Sequence, residues 1–248
     1  CMNMKKEWKY GKPSKNAPVT VQDTIRLRRS IRRYTGERIP DEDLEKILDA
    51  ARYTPSPENM QMYRFVIVRD DQETKNLIAD LAVEAAKETF GTFPAELTQG
   101  RIWYVPPDRR PWTFTEMRDG SLFEYPRYAD VVIVACASES FHDSPVLYPL
   151  SLFGSICVGM AIMKMWLMAT ALGYGAGYQA FPIMDPRRRE LLADRLGIPR
   201  SWDVIATLSI GVRGEERMIG PSRLTLEGLF YKERWGNPYI RKAFLEEE

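Results

Sequence analysis

The chain has 248 residues, 44% of them hydrophobic and 28% charged, which is typical of a globular protein that can bury a sizeable core. Its 35 Lys and Arg residues nearly balance 34 Asp and Glu residues, so the charge gives no reason to expect nucleic acid or a membrane surface as a partner. A single histidine, His142, excludes a histidine metal cluster, and three widely spaced cysteines without a CxxC motif argue against a zinc site and indicate a reducing, cytoplasmic compartment.

The N-terminal part of the chain predicts an extended arm followed by two helices. Residues 1–20 are polar and lack the apolar stretch of a signal peptide, so we expect an arm there. The first helix is predicted from Val21 to Arg33. Pro40 followed by three acidic residues indicates the start of a second helix, because acids stabilise the positive end of a helix dipole. That helix is amphipathic, with apolar residues at i, i+3, i+4 and i+7. These are Leu44, Ile47, Leu48 and Ala51.

The rest of the chain alternates short apolar runs with helical patterns. Strands are predicted at 65–68, 129–137, 174–181 and 204–212, and helices at 73–90 and 186–196. Between them, residues 91–128 show no clear period but carry several aromatic residues. The alternation predicts one α+β or α/β domain spanning residues 21–240.

The segment from Ser151 to Gly173 is almost wholly apolar and is long enough to span a bilayer. Lys164 lies near its middle, and Gly154 and Gly159 are among its small residues. A helix buried on all sides is therefore predicted in preference to a transmembrane helix. Such a helix must lie in a core or in a subunit interface, which is a first indication of a dimer.

Three segments carry candidate binding residues. The first, RRSIR at 28–32, is predicted to end the first helix, where Arg28 and Arg32 would share a face. Arginine offers a fork of donors that matches phosphate, although a solvated basic helix end gives the same pattern. The second, PSPENMQ at 55–61, is a loop stiffened by two prolines whose amides suit the polar edge of a heterocycle; a plain helix stop is the alternative.

The third segment, ALGYGAGYQA at 171–180, follows a helix, so it is not a dinucleotide fingerprint, which follows a strand. Its glycines allow either a close approach of the backbone to a ligand or a tight exit from the helix.

In this order, the three segments resemble the nitroreductase family of flavoproteins. The resemblance runs from about Thr24 to about Pro238 and continues through LGIP at 196–199, IG at 210–211 and SRL at 222–224. It implies an α+β fold with a central, mostly antiparallel sheet flanked by helices, and an intertwined homodimer with one FMN at each of two interface sites.

The resemblance also assigns the cofactor-binding residues. Arg28 and Arg223 would hold the FMN phosphate, Arg29 and Ser30 would line the phosphate and ribityl chain, and Arg32 would face the N1 and O2 edge of the flavin. The partner subunit would contribute Pro55, Ser56, Pro57, Asn59 and Gln61. The backbone of Tyr178, Gln179 and Ala180 would pass along the isoalloxazine ring. The chain departs from the family pattern at Ala180, Lys164 and Pro221, where many members have Gly, Asn and a basic residue.

The implied activity is hydride transfer from NAD(P)H through flavin N5 to a small aromatic or conjugated acceptor, in a ping-pong mechanism that needs no catalytic side chain. Specialised flavin chemistry on the same fold, or flavin binding without turnover, are the alternatives. Residues 91–128 are expected either to cover the open face of the flavin as a lid or to form a satellite hydrophobic cluster.

Overall fold

The computed structural model describes residues 20–92, 102, 105, 107–138, 153–214 and 223–239. Its helices are α1 (Val21–Leu27), α2 (Asp41–Arg52), α3 (Gln72–Thr92), α4 (Arg110–Asp119), α5 (Phe153–Ala171), α6 (Pro186–Arg195) and α7 (Leu226–Leu229). Its strands are β1 (Tyr63–Val68), β2 (Val131–Ala137), β3 (Gly175–Gln179) and β4 (Asp203–Gly211). The predicted N-terminal arm up to residue 19, His142 and Pro221 lie outside the described residues.

The four strands form one sheet in the order β1-β2-β4-β3, and every neighbouring pair is antiparallel. β2 is buried along its whole length, because helices cover both faces of the sheet. Ile133 and Ala135 pack with α2 and α5, whereas Val132 and Val134 pack with α3 and α6. The prediction of an α+β fold with an antiparallel sheet flanked by helices is confirmed.

Helix α2 follows the predicted pattern. Pro40 accepts from the backbone N–H of Leu44 at 3.0 Å, and Leu44, Ile47 and Ala51 are buried in the core. The helix ends at Arg52, just before the predicted stop. Local signals determined this element.

Helix α1 is shorter than predicted, and the prediction that RRSIR ends it is wrong. The helix stops at Leu27, and Arg28 adopts the extended ψ of 128°. The chain then runs beside β3, where the N–H of Ile31 donates to Ala176 O at 2.9 Å and Ser30 pairs with Ala176 in a parallel bridge. The chain pairs with the edge of the sheet here instead of continuing as a helix. Arg28 and Arg32 therefore do not share a helical face.

Helix α5 is buried on one side only in the single chain. Cys157, Ala161 and Met165 face the sheet, whereas Phe153, Ile156 and Met163 are exposed. Among the described residues, α5 is the one helix whose length and composition would allow it to cross a membrane, and half of its most apolar window is buried. A core helix passes the same test, so this finding does not favour a membrane over a subunit interface.

Residues 107–128 are more regular than predicted. They form α4 and three short 3-10 turns, at Pro107–Arg109, Ser121–Phe123 and Tyr125–Tyr128. Phe123 stacks on Phe90 of α3 and touches Phe181, so this part of the chain contributes to a separate hydrophobic cluster. That packing favours the satellite cluster as an explanation of these aromatic residues.

Candidate functional site

Residues 28–33, here called the arginine segment, lie between the C-terminal half of α5 and the free edge of β3. The guanidinium carbon of Arg28 is 4.3 Å from the centroid of the Trp166 ring, and the indole N–H of Trp166 donates to Arg29 O at 3.3 Å. The Arg29 side chain turns back and donates to the carbonyls of Arg26 and Arg28, at 2.6 and 2.8 Å. The segment is therefore held by side chains as well as by backbone pairing.

The arginine segment concentrates positive charge. Burial lowers the pKa of Arg28, and the nearby charges of Arg223 and Arg29 lower it further. Within the described parts of the chain, no carboxylate forms an ion pair with Arg28. Arg28 and Arg223 come from opposite ends of the sequence, and the fold brings their charges within range of each other. Since no described carboxylate pairs with Arg28, its charge would attract an anion.

The other end of the segment contacts α4. The guanidinium of Arg33 lies 4.8 Å from the ring centroid of Trp112 and 3.8 Å from a carboxylate oxygen of Glu116. Trp112 and Glu116 are one helical turn apart, so they present one face of α4 to the segment. Burial raises the pKa of the Glu116 carboxyl, against the opposing effect of Arg33. The arginine segment therefore links β3 to α4.

The glycine-rich segment serves a purpose that the sequence did not reveal. A Cβ at Gly177 would lie 2.5 Å from Ile31 O and 2.8 Å from the Tyr125 ring. A Cβ at Gly175 would lie 2.7 Å from the Ile31 side chain. These glycines therefore admit the arginine segment, and Gly173, with φ of 89°, provides the predicted tight exit from the helix.

The end of β3 places its predicted residues on opposite faces. Tyr178 is 45% exposed, and its carbonyl accepts from the Tyr125 hydroxyl at 3.0 Å. Gln179 is buried, and neither its amide oxygen nor its amide nitrogen has a hydrogen-bond partner. Ala180 follows and leads into a short turn. An unsatisfied buried amide is costly, which marks this end of β3 as a place where a polar ligand would contribute.

Residues 55–61, here called the proline loop, are exposed or half-buried and mostly held by local contacts. The Ser56 hydroxyl accepts from the backbone N–H of Gln61 at 2.8 Å, and the Gln61 amide donates to Asn59 O at 3.3 Å. Three of its non-glycine residues have positive φ: Glu58 at 52°, Asn59 at 56° and Gln61 at 51°. Such strain is concentrated at functional sites, so the geometry favours a binding role over a plain helix stop.

The structure places Arg28, Arg29, Ser30 and Arg32 in one stretch beside β3, where Ser30 pairs with Ala176, and the charge of Arg223 acts on Arg28. The proline loop instead leads directly into β1, where Arg64 donates to Gln61 O at 2.9 Å. Sequence reasoning missed Trp166, Tyr125 and Arg33, since each acts through a contact far along the chain.

Among the residues that the structure describes, no group of His, Cys, Asp or Glu could hold a metal ion.

Known proteins resemble the chain over most of its length. The profile described as "Nitroreductase family" matches residues 25–212. The 5,6-dimethylbenzimidazole synthase of Rhodospirillum rubrum is 26% identical, covering 87% of this chain and 90% of that protein. Nitrobenzene nitroreductase of Ectopseudomonas oleovorans is 26% identical, covering 77% of this chain and 86% of that protein.

A solved structure supports the fold. The NADPH:FMN oxidoreductase of Vibrio harveyi, complexed with NAD+, superposes with a TM-score of 0.62 at 20% identity, covering 92% of this chain and 82% of that one. The family profile, the sequence relatives and this superposition agree with the resemblance carried by the three segments. The chain belongs to the nitroreductase family.

Proposed function

We propose that this protein is an FMN-dependent NAD(P)H oxidoreductase that acts as a homodimer on a small aromatic or conjugated acceptor. The observation that carries the proposal is the Arg28 guanidinium, which lies 4.3 Å from the Trp166 ring centroid beside the edge of β3 and forms no ion pair with a described carboxylate. When bound, FMN supplies hydride transfer at N5, so the protein needs no nucleophile or metal.

The protein's own residues would bind and tune the cofactor. Arg28 and Arg223 hold the phosphate through charge-assisted hydrogen bonds, with Arg29 and Ser30 beside them. Arg32 favours an anionic flavin at the N1 and O2 edge, because a positive charge stabilises a negative one there. The end of β3, at 178–180, follows the ring, and the buried amide of Gln179 fits a polar ligand at this end of the strand.

A second copy of the chain would complete each site with its proline loop, through Pro55, Ser56, Pro57, Asn59 and Gln61. The exposed side of α5 supports a dimer, because its apolar residues recur every three or four positions and form one stripe. The stripe is Phe153, Ile156, Met160, Met163 and Leu167. A stripe of this kind stays in contact with water unless another subunit covers it.

The C-terminal part of the chain supports an intertwined dimer. Leu229, Phe230 and Trp235 are 53%, 55% and 88% exposed. They follow Arg223, one of the two proposed phosphate ligands. A partner subunit would bury these side chains and fix the position of Arg223 at the same time.

Residues 91–128 would determine which acceptor is reduced. Within the described part of this region, α4 contacts the arginine segment through Arg33. The charge of Arg32 also acts on Glu116 of α4, so α4 would lie near the proposed flavin edge. A change in this region should therefore alter acceptor preference while FMN stays bound.

A second candidate is specialised chemistry of the flavin itself. It is favoured by the 26% identity to 5,6-dimethylbenzimidazole synthase over 87% of this chain. Anaerobic titration of the purified protein separates the two candidates. A yellow protein that bleaches with NADH or NADPH supports the oxidoreductase, whereas a yellow protein that does not bleach favours the specialised chemistry. A colourless protein that takes up no added FMN would contradict both.

The phosphate site is tested by Arg28→Ala. Arg26→Ala, two residues earlier in α1, is the matched control. Loss of a charge-assisted hydrogen bond of about 1.5–3 kcal/mol should weaken FMN binding roughly 10- to 100-fold. Isothermal titration with FMN measures the change. The control should bind like the parent protein, and an unchanged affinity in Arg28→Ala would refute the phosphate role.

The shared site is tested by mixing two variants. Arg28→Ala and Asn59→Ala would each impair both sites of their own homodimer. Heterodimers formed from the two by mixed refolding should regain one intact site, because both substitutions then fall in the other site. If the refolded mixture binds no more FMN than the separate variants, the proline loop does not act across the interface.

A further inference from the structure

Trp166 contacts two consecutive residues of the arginine segment at once. Its ring lies under the Arg28 guanidinium at 4.3 Å, and its indole N–H donates to Arg29 O at 3.3 Å. The ring is 6% exposed and belongs to the core cluster between α2, α5 and the sheet. Trp166 therefore connects the rigid core to the proposed phosphate site.

Arg28 lies at a point in the chain where its own backbone does little to orient its side chain. It lies where α1 ends, so its backbone no longer follows the helix, and its side chain has many rotamers of its own. A guanidinium stacked on a ring uses its face for that contact. Its N–H groups point outward in the guanidinium plane, where they remain available to oxygen acceptors.

The pairing also limits which part of the guanidinium is available to a ligand. The indole ring blocks one face of Arg28 and leaves the edge that binds two oxygens at once. Because the core holds the ring, this edge is in place before a ligand arrives. Ordering a flexible arginine on binding would otherwise reduce the affinity.

We propose that Trp166 is a positioning residue for the flavin phosphate: it holds the Arg28 guanidinium against its ring and fixes the backbone of Arg29, so that Arg28 presents its donors to the phosphate oxygens. The inference rests on the proposed function, since it assumes that Arg28 meets the phosphate. Trp166 itself touches neither the phosphate nor the reacting atoms.

The test compares FMN with riboflavin, which has the same ring and ribityl chain but no phosphate. The ratio of their dissociation constants measures the phosphate contribution alone. In Trp166→Leu this preference for FMN should fall about three- to tenfold, as expected for the loss of a cation–π contact. Trp166→Phe keeps a ring below Arg28 and should retain most of the preference. A purely structural role would weaken both ligands equally and leave the ratio unchanged, which would overturn the proposal.

Two further variants keep the result interpretable. Trp202→Leu is a matched control, because Trp202 also stacks with an arginine, Arg64 at 5.1 Å, on the other side of the sheet. It should leave the ratio unchanged. In the double variant Arg28→Ala/Trp166→Leu, the loss of preference should be no larger than in Arg28→Ala alone.

The outcomes distinguish a failure of the proposed phosphate site from a failure of the positioning role of Trp166. If Arg28→Ala does not lower the preference for FMN, the proposed phosphate role fails. If Arg28→Ala lowers it but Trp166→Leu does not, or if the two losses add fully, only the role of Trp166 fails. Should Trp166→Leu not fold, as judged by circular dichroism, Trp166→Met takes its place, because methionine fills the space with a flexible apolar side chain that has no ring. An unchanged ratio in Trp166→Met would overturn the proposal.

Discussion

The arginine segment and the proline loop both carry proposed flavin ligands, but they are held in opposite ways. The arginine segment is fixed by residues far along the chain. Trp166 and Ala176 form hydrogen bonds with its backbone. Directly after the segment, the Tyr34 hydroxyl donates to Ser209 O of β4 at 3.1 Å. The proline loop is fixed mainly by contacts between residues two to five positions apart.

This difference separates two ways of preparing a binding site. The arginine segment is placed by the fold, so its geometry should be lost when the packing around β3 is disturbed. The proline loop carries its own strain in three residues with positive φ, so its geometry should respond to local substitutions. Substitutions that act on one region and spare the other test this comparison.

The largest effect is expected for Gly177→Ala. The new methyl group would lie 2.5 Å from Ile31 O and 2.8 Å from the Tyr125 ring, and the first of these atoms is backbone that cannot move aside without shifting the arginine segment. Overpacking of this kind should cost about 3 kcal/mol of unfolding free energy and lower the melting temperature by roughly 6–12 °C. FMN affinity should fall as well, and differential scanning fluorimetry with and without FMN measures both.

Gly91→Ala provides the control. Gly91 lies in α3, where a Cβ would meet nothing closer than Arg118 O at 3.9 Å. Alanine should be neutral or slightly stabilising there, since glycine is a poor helix former. Equal melting temperatures for the two variants would show that the arginine segment does not depend on close packing against β3.

The sequence was informative where local signals determine structure. The start of α2, its apolar face and the aspartate cap of α6, where Asp185 accepts from the Arg187 N–H at 2.7 Å, all follow from neighbouring residues. The end of α1 could not be predicted, because a helical continuation of RRSIR is locally acceptable and only β3 offers the alternative. Trp166 was equally hidden, since a tryptophan in an apolar helix has the pattern of a core residue.

A smaller effect is expected in the proline loop, where Glu58 has φ of 52° and an exposed side chain. Glu58→Gly and Glu58→Ala both remove the carboxylate, but only glycine adopts this conformation without a clash at Cβ. The glycine variant should therefore be the more stable of the pair by about 1 kcal/mol. Chemical denaturation measures the difference, and equal stabilities would mean that the loop stores no strain at this position.

The smallest effect on stability is expected for Arg33→Ala, which separates α4 from the arginine segment. The side chain of Arg33 is 58% exposed and Trp112 is 51% exposed, so loss of its contacts with Trp112 and Glu116 should cost less than about 1 kcal/mol of global stability. Arg38→Ala is a matched control, because both arginine side chains are 58% exposed and Arg38 pairs instead with Asp70. Hydrogen exchange should show faster exchange along α4 in Arg33→Ala alone, by up to about fivefold if the contacts contribute about 1 kcal/mol. If α4 exchanges at the same rate in both variants, the helix is held by the hydrophobic cluster around Phe90 and Phe123. A role for α4 in the choice of acceptor would then not depend on the arginine segment.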